Sequence, residues 1–455
     1  MRPEPGFRPW RVHEESEVSD LLLVPSAIEA FNLLVFLAFS LAYGYQLFYV
    51  AVVLLRKPPR HAAACSHRFA VMIPARNEGA VVADLLRSIK MQDYPAHLID
   101  VFVIADNCTD DTADVARREG AVVFERTNDV LVGKGYALDW GYQLIREGYA
   151  HKGYEAYFVF DADNVLDAGY FRAMNDTFDG GAKVSTSYRN SKNYATNWIS
   201  AGYATWFLRE SKYLNQARLT LGTSCAVSGT GFYVAADLLE RSGGWKWHLL
   251  TEDIEFSVAS VIDGERIAYC PEAVLYDEQP VTFRDSWNQR FRWAKGFYQV
   301  LGAYVGGLVR GMVRNPKGRR FACYDMLMTI APAMLLTVLT VFVNLGVFVL
   351  GITGVLSVGE MAGYSLASIG FCLLMYVTTM GFFGILTTVS EWGRIRASAP
   401  RKLWGMCTFP LFMITYVPIA LAALVGKAEW KPIRHTFSVS AADFAGVVTE
   451  KPPIK

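Results

Sequence analysis

Two carboxylates two residues apart, Asp161 and Asp163, close a short apolar run in the stretch FVFDADNVLD, residues 158–167. If the chain stays extended to that point, residues i and i+2 project to one side, so the two acids face together. Like charges that close repel unless a cation sits with them. A hard divalent ion with oxygen ligands and bound phosphates answers that need. Mg2+ or Mn2+ is therefore the expected cofactor, with Asp161 and Asp163 as its ligands. An ordinary solvated turn at a strand end would carry the same residues.

Other groups with chemical potential fall at comparable places. Pro74-Ala75-Arg76-Asn77-Glu78 follows one apolar run, and Asp106 with Asp110 and Asp111 follows another. Gly133-Lys134-Gly135 opens a helical stretch and offers a cation for an anionic group. In Ser228-Gly229-Thr230-Gly231-Phe232 two glycines flank a hydroxyl, which suits close backbone approach to a ligand and equally suits a plain turn. Thr251-Glu252-Asp253 stands at a helix start, where acids can serve proton chemistry or simple capping. WNQRFRWAKGF, residues 287–297, interleaves arginine and tryptophan and brings Gln289, Arg292 and Trp293 together. That pattern also fits an amphipathic helix at a bilayer interface.

A scaffold must deliver these residues to one rim. Apolar runs at Phe69–Ile73, Val101–Ala105, Ala121–Phe124 and Tyr157–Phe160 alternate with helical stretches at Ala80–Lys90, Thr112–Glu119 and Ala137–Glu147. Continuous apolar strands between helices predict an α/β fold with a mostly parallel sheet covered on both faces. Ligands of such sheets bind beyond the carboxyl ends of the strands, which is where the acids lie.

The 455 residues are 52% hydrophobic, with a mean hydropathy of +0.20. Four runs hold no charged residue: 30–55, 326–359, 361–390 and 403–426. Each exceeds the roughly 20 helical residues that cross a bilayer core. The chain thus divides into an amino-terminal segment 1–29, a membrane helix 30–55, a polar domain 60–285, an interfacial helical region 286–320, three membrane segments within 326–426 and a tail 427–455. The first run reads as a span and not a signal peptide, since Arg56-Lys57-Pro58-Pro59-Arg60 follows it. Lysine and arginine flank the spans so as to place residues 60–320 in the cytosol of a multi-pass plasma-membrane protein, with the amino terminus outside. Strict alternation puts the tail outside as well, although it carries Lys427, Lys431 and Arg434; Pro410 and Pro418 predict a kinked or incomplete fourth span. Seven cysteines stand singly, which argues against a zinc site and a disulfide framework. The net charge of +1 and the lack of a basic-aromatic stripe point to no nucleic-acid partner.

The ordered set Asp106, Asp161-x-Asp163, Thr251-Glu252-Asp253 and Gln289-x-x-Arg292-Trp293 resembles the membrane-bound family 2 glycosyltransferases. That group includes the cellulose, chitin, hyaluronan and poly-N-acetylglucosamine synthases, and the resemblance runs from about Phe69 to Tyr298. It implies a Rossmann-like A-type catalytic domain and an inverting displacement at a sugar's anomeric carbon. It also implies roles: Asp106 on the uracil of a UDP-sugar, Asp161 and Asp163 on the diphosphate and its metal, Asp253 as general base. Gln289, Arg292 and Trp293 would line the diphosphate and acceptor entrance, a motif associated with processive members. Pro74, Glu78, Lys134, Gly229, Thr230 and Glu252 count among the substrate-binding positions. Two features depart from the synthases: the Ser228–Phe232 loop on the acceptor side, and a single leading span. The implied activity is extension of a polysaccharide from a UDP-sugar, coupled to export. The rivals are transfer of one sugar to a lipid such as a polyprenyl phosphate, and a non-catalytic transport subunit, for which the spans offer few polar groups.

Overall fold

The computed structural model describes residues 12–353, 359–428, 435, 437 and 438. Residues 1–11 of the amino-terminal segment, residues 354–358 and the tail cations Lys431 and Arg434 lie outside the described residues. Helices α1 (Val12–Tyr43) and α2 (Tyr45–Leu55) come first. The middle of the chain then runs β1 (Phe69–Ala75), α3 (Val82–Lys90), β2 (Ile99–Asp106), α4 (Thr112–Arg118), β3 (Val122–Arg126), α5 (Lys134–Tyr149) and β4 (Ala156–Val159). It continues through β5 (Val165–Leu166), α6 (Tyr170–Asp179), β6 (Val184–Ser191), α7 (Trp198–Arg209), a π-helical turn Glu210–Asn215 and α8 (Gln216–Leu221). Next are β7 (Phe232–Ala235), α9 (Ala236–Ser242), α10 (Glu252–Ile262) and β8 (Ile267–Asp277). Six helices complete the described chain: α11 (Phe283–Arg314), α12 (Lys317–Ile330), α13 (Pro332–Ile352), α14 (Gly359–Ser390), α15 (Ala399–Ile414) and α16 (Tyr416–Val425).

The eight strands form one sheet in the order β3-β2-β1-β4-β7-β6-β8-β5. β1 lies between β2 and β4, parallel to both, with Phe69 opposite Ile99 on one side and Ala156 on the other. Its side chains alternate between two cores, as the pleat requires. Phe69, Val71 and Ile73 join Leu85, Ile89 and Phe171 on the α3/α6 face, whereas Ala70 and Met72 join Leu138, Tyr142 and Phe256 on the other. The mostly parallel half therefore matches the expectation from the apolar runs. The other half is mixed: β7 runs antiparallel to β4 and to β6, and β5 antiparallel to β8. β6, VSTSYRNS, is almost wholly buried despite its hydroxyls, which bond locally, Ser187 Oγ donating to Gly231 O at 2.6 Å.

Two compact units divide the chain, Met1–Tyr45 with Pro332–Thr379 and Gln46–Ala331 with Met380–Lys455. In the first, Asn32 and Asn344 exchange reciprocal amide hydrogen bonds of 3.0 and 2.9 Å between α1 and α13. Such polar pairs join helices that lack a hydrophobic drive to associate in lipid. Leu33, Leu34, Leu41, Phe342, Leu345 and Phe371 stay exposed, a surface suited to acyl chains.

Among the described residues, four helical stretches are long and apolar enough to cross a membrane: Ile28–Leu55, Leu335–Ile352, Ser365–Ser390 and Ala399–Val425. The number agrees with the charge-free runs, but the second starts later than expected. Met326–Ile330 belong to α12, which ends at Ala331 before Pro332, and Met326 packs in a core with Leu308 and Cys323. The helical region expected at 286–320 accordingly extends from Phe283 to Ile330 as α11 and α12 packed together. The last stretch breaks at Thr415 between α15 and α16. Pro418 has no N–H to give the Ile414 carbonyl, which accounts for the interruption.

In the second unit α15 lies against α7 closely enough that a Cβ on Gly202 would collide with the Phe412 ring. Gly202→Ala is expected to destabilise the protein by about 1–3 kcal/mol through overpacking. Gly148→Ala, in α5 with nothing within 4 Å of its added Cβ, should instead gain about 0.5–1 kcal/mol from lowered chain entropy. Thermal unfolding of the two variants in detergent checks both signs.

Candidate active site

Lys134 begins α5 and is the centre of the site. Its Nζ pairs with Asp161 and donates to the Gly229 carbonyl at 2.6 Å. Helix α5 can start there because Gly135 has no side chain: a Cβ would collide with the Trp247 carbonyl. Burial alone would lower the ammonium pKa, but Asp161, Glu252 and Asp253 outweigh it and hold it above the ordinary lysine value. The cation is therefore permanent at neutral pH.

Asp161 and Asp163 do not stand in extended chain. β4 ends at Val159, and the Asn164 N–H donates to the Asp161 carbonyl at 3.1 Å, closing a turn. The two carboxylates take different partners. Asp161 keeps 37% side-chain exposure and faces Lys134. Asp163, 4% exposed, accepts from the Glu278 N–H at 2.7 Å. The Thr230 hydroxyl accepts the Asp161 N–H at 2.9 Å and donates to Asn164, so the Gly229–Gly231 loop is stitched to this turn. Gly229 and Gly231 have φ of 79° and 67°, which excludes most side chains, and a Cβ on Gly231 would collide with Leu275.

On the opposite side, an ideal Cβ on Gly229 would lie 3.7 Å from Asp253 Oδ2. Asp253 stands in the first turn of α10. Thr251 occupies the cap position, yet its side chain makes no capping bond and its hydroxyl is buried without a partner among the described residues. Simple side-chain capping thus does not explain this motif. Burial pushes Asp253 above the usual carboxylate range, against the pull of the helix-end N–H groups and Lys134. Glu252 rises to about 7 through burial and the neighbouring Asp253 charge. For Asp253 desolvation is a larger effect than the helix-end N–H groups. The two acids titrate as a pair.

A second acidic corner surrounds Asp163. Burial lifts Glu78 to about 6 against His435, whose Nδ1 lies 2.9 Å from it. Asp277 also rises to about 6 through burial, against the Arg189 guanidinium, whose Nε donates to it at 2.6 Å. Burial would lower His435, but Asp163, Glu78 and Glu278 push it up to about 10. Asp163 itself stays below its ordinary value, because His435, Lys192, the Glu278 N–H and Arg189 overcome its burial. Crowded oxygen donors that resist ionisation form a place where a hard divalent cation lowers the electrostatic cost.

The remaining expected positions are placed as follows. Asp106, at the end of β2, is buried and paired with Arg126 Nη1 at 2.5 Å; burial raises its carboxyl and Arg126 opposes the rise. Pro74 sits in β1 opposite Ile104 with no side-chain contact to the acids among the described contacts. On α11, Arg292 lies within electrostatic reach of Glu252, and the Gln289 Oε1 is buried without a partner among the described residues. Trp293 packs edge-on against Tyr203 and Phe207 of α7, with centroids 5.8 and 6.1 Å away. Gly296 lets α11 approach α10, since a Cβ there would meet Thr251 Oγ1 at 2.5 Å. Sequence reading missed Arg126, Arg189, Glu210, Asp277, Glu278 and His435. Their partners are remote: Arg189 and Asp277 are separated by 88 residues, and no local spacing signals such a pair.

The sequence profile described as glycosyltransferase like family 2 matches residues 67–296, and the chain belongs to that family. It is a glycosyltransferase, with an A-type catalytic fold. A probable glycosyltransferase, YdaM of Bacillus subtilis, is 26% identical over 254 residues, 51% of this chain and 56% of that one. A β-monoglucosyldiacylglycerol synthase of a Nostoc species is 27% identical over 267 residues, 57% and 54% of the two chains. A poly-β-1,6-N-acetyl-D-glucosamine synthase of Staphylococcus epidermidis is 25% identical over 235 residues, 50% and 54%. The matched region spans little more than half the length of these curated relatives. A mannosyltransferase of Pyrobaculum calidifontis, solved with GDP-Man and Mn2+, shares the fold at a TM-score of 0.53 and 18% identity, covering 88% of this chain and 99% of its own.

Removing the central cation should move the acid limb of the pH–rate profile. Lys134→Met leaves Glu252 and Asp253 without their stabilising positive charge, so their ionisation and the limb should shift to higher pH. Glu252→Gln removes a negative neighbour of Asp253 and should shift the limb to lower pH. Profiles of kcat/KM for both variants test the pair of opposite signs.

Proposed function

We propose that the protein is an inverting membrane glycosyltransferase that takes a sugar from a UDP-sugar and extends a polysaccharide with it, coupled to export. The single observation carrying this reading is the position of Lys134. One ammonium joins Asp161 to the loop at Gly229 and lies in the field of Glu252 and Asp253. A cation for a leaving diphosphate and a carboxylate base for an attacking alcohol are thereby held across one small space.

In this reading Asp253 takes the proton from the acceptor hydroxyl. The oxygen forms a bond to the anomeric carbon, and the bond from that carbon to the diphosphate breaks on the opposite face. The electron pair leaves with UDP, whose charge Lys134 and Arg292 stabilise. Asp106 holds the base of the nucleotide. Asp161 and Asp163 hold a divalent ion, Mg2+ or Mn2+, which when bound supplies charge neutralisation at the diphosphate. Crowding of the carboxyls around Asp163 supports that assignment, and the Mn2+ in the Pyrobaculum mannosyltransferase agrees with it. Gln289 and Trp293 line the acceptor side. The catalytic domain, about residues 60–285, faces the cytosol, where nucleotide sugars are made. The multi-pass chain resides in the plasma membrane.

The second reading is transfer of one sugar to a lipid hydroxyl. The likeness to β-monoglucosyldiacylglycerol synthases favours it. Product length separates the two: a polymer ladder against one lipid-soluble product.

Purified protein in detergent with Mn2+ and a panel of UDP-sugars should release UDP with at least one of them; release with none, given both carbohydrate and diacylglycerol acceptors, would rule out the donor class. Asp253→Asn should lower turnover by about 10²–10⁴-fold with donor affinity nearly unchanged. Retention of more than about a tenth of the rate would place the base elsewhere. Asp163→Ala should abolish the Mn2+ dependence of UDP binding, read by titrations with and without the ion. Trp293→Ala should impair transfer and shorten product far more than Trp287→Ala, whose ring lies against Phe283 outside the motif. Equal losses in the two tryptophan variants would remove Trp293 from the acceptor site.

A further inference from the structure

A second group of metal-ligating side chains lies away from the active-site acids. His61, Cys65 and His67 belong to the segment between α2 and β1, and Asp179 ends α6. His67 Nε2 is 3.0 Å from Asp179 Oδ1, and Cys65 Sγ is 3.5 Å from both atoms. His61 Nε2 is 3.1 Å from the other oxygen, Asp179 Oδ2. We propose that Cys65, His67 and Asp179 form a zinc site, its fourth position open to solvent beside His61, that fastens this segment to the end of α6.

The spacing is that of ligands around one small ion. Zinc bonds of about 2.0–2.3 Å in a tetrahedron set neighbouring ligand atoms about 3.3–3.6 Å apart. The observed 3.0–3.5 Å separations need only slight adjustment to reach that arrangement. The chemistry of the donors agrees. A thiolate and an imidazole suit a borderline-soft ion, in contrast to the all-oxygen corner at Asp161 and Asp163. One thiolate, one carboxylate and a neutral imidazole also balance a dipositive ion without residual charge.

The surroundings orient the ligands as metal sites require. His67 Nδ1 lies 2.7 Å from Glu155 Oε2, the carboxylate–histidine contact that fixes a ligating tautomer. The His67 ring also stands edge-on to Phe178 at 4.9 Å. Asn175 and Asp176, one turn earlier on α6, hold the backbone of the same segment. The Asn175 side chain accepts from His67 N at 3.0 Å and donates to Cys65 O at 2.8 Å, and Asp176 accepts from Ala63 N at 3.0 Å. Asp179 Oδ2 further accepts from Ala64 N at 3.0 Å. Zinc binding must expel the Cys65 thiol proton, and so strengthens as pH rises.

The test is elemental analysis of untagged, full-length protein purified in detergent, paired with competition against a chromophoric chelator. About one zinc per chain is expected, resistant to dialysis against excess Mg2+. Cys65→Ser with His67→Ala should lose it, while Cys407→Ser, an exposed cysteine elsewhere, should keep it. Glu155→Gln should retain zinc with affinity weakened about 10–100-fold. Cobalt substitution should give visible thiolate–cobalt absorption that Cys65→Ser lacks. Mn2+-dependent UDP binding should survive in the double variant, which separates this site from the catalytic assignment. Wild-type protein carrying no more zinc than the double variant, and giving no cobalt absorption, would overturn the proposal and leave the group a hydrogen-bonded cluster.

Discussion

A buried ammonium holds the catalytic face of this protein together. Around Lys134 gather Asp161, the Gly229 carbonyl, Glu252 and Asp253, supplied by three separate parts of the chain. Without that cation the acids would be buried like charges, each raising the cost of ionising the others. Much of the local backbone follows from the need to bring the ammonium there. Gly135 admits the start of α5 beneath Trp247, and Gly229 and Gly231 take left-handed conformations that let the loop meet both the Asp161 turn and Leu275.

The acid groups divide into two electrical tasks. Glu252 and Asp253 have their carboxyls raised by desolvation, the direction that suits the proton-accepting role proposed for Asp253. Asp163 is treated in the opposite way. Nearby cations and a backbone N–H keep it ionised in spite of complete burial, while its neighbours Glu78 and Asp277 carry the penalty and rise. The same burial thus leaves one carboxylate more acidic than usual and its neighbours less so, the difference being set by the cations and N–H donors around each.

What could be read in advance depended on whether the signal was local. β1 to β4 announce themselves as short apolar runs because parallel strands buried on both faces must be apolar throughout. β6 stayed hidden, since its serines and threonines satisfy themselves within the sheet and look like loop. The acids Asp161, Asp163 and Asp253 were legible as short spaced motifs, but their geometry was not: in the turn after Val159 two carboxylates that an extended chain would align take different partners. Arg189 with Asp277 and His435 with Glu78 join residues far apart in the chain, for which no periodicity exists. His61-x3-Cys65-x-His67 is a local pattern. It was passed over because single cysteines were weighed only against one another, and its carboxylate partner lies on α6.

The residue between the motif positions of α11 explains how that helix is anchored. Arg290 is flanked by Gln289 and Arg292-Trp293 and is almost wholly buried; its guanidinium and the Trp293 ring, three residues apart, both reach Tyr203. Its Nη1 donates to the Phe412 carbonyl at 3.2 Å and to Thr415 Oγ1 at 2.8 Å, at the break between α15 and α16, and its guanidinium lies 4.5 Å from the centre of the Phe412 ring. Phe412 and Thr415 lie at the end of α15, where backbone carbonyls run short of helical donors, and an arginine supplies several in a fixed fork. The helix carrying Gln289, Arg292 and Trp293 is thus bonded to the interruption in the last apolar stretch, while Gly296 on the same helix packs on Thr251 beside Asp253.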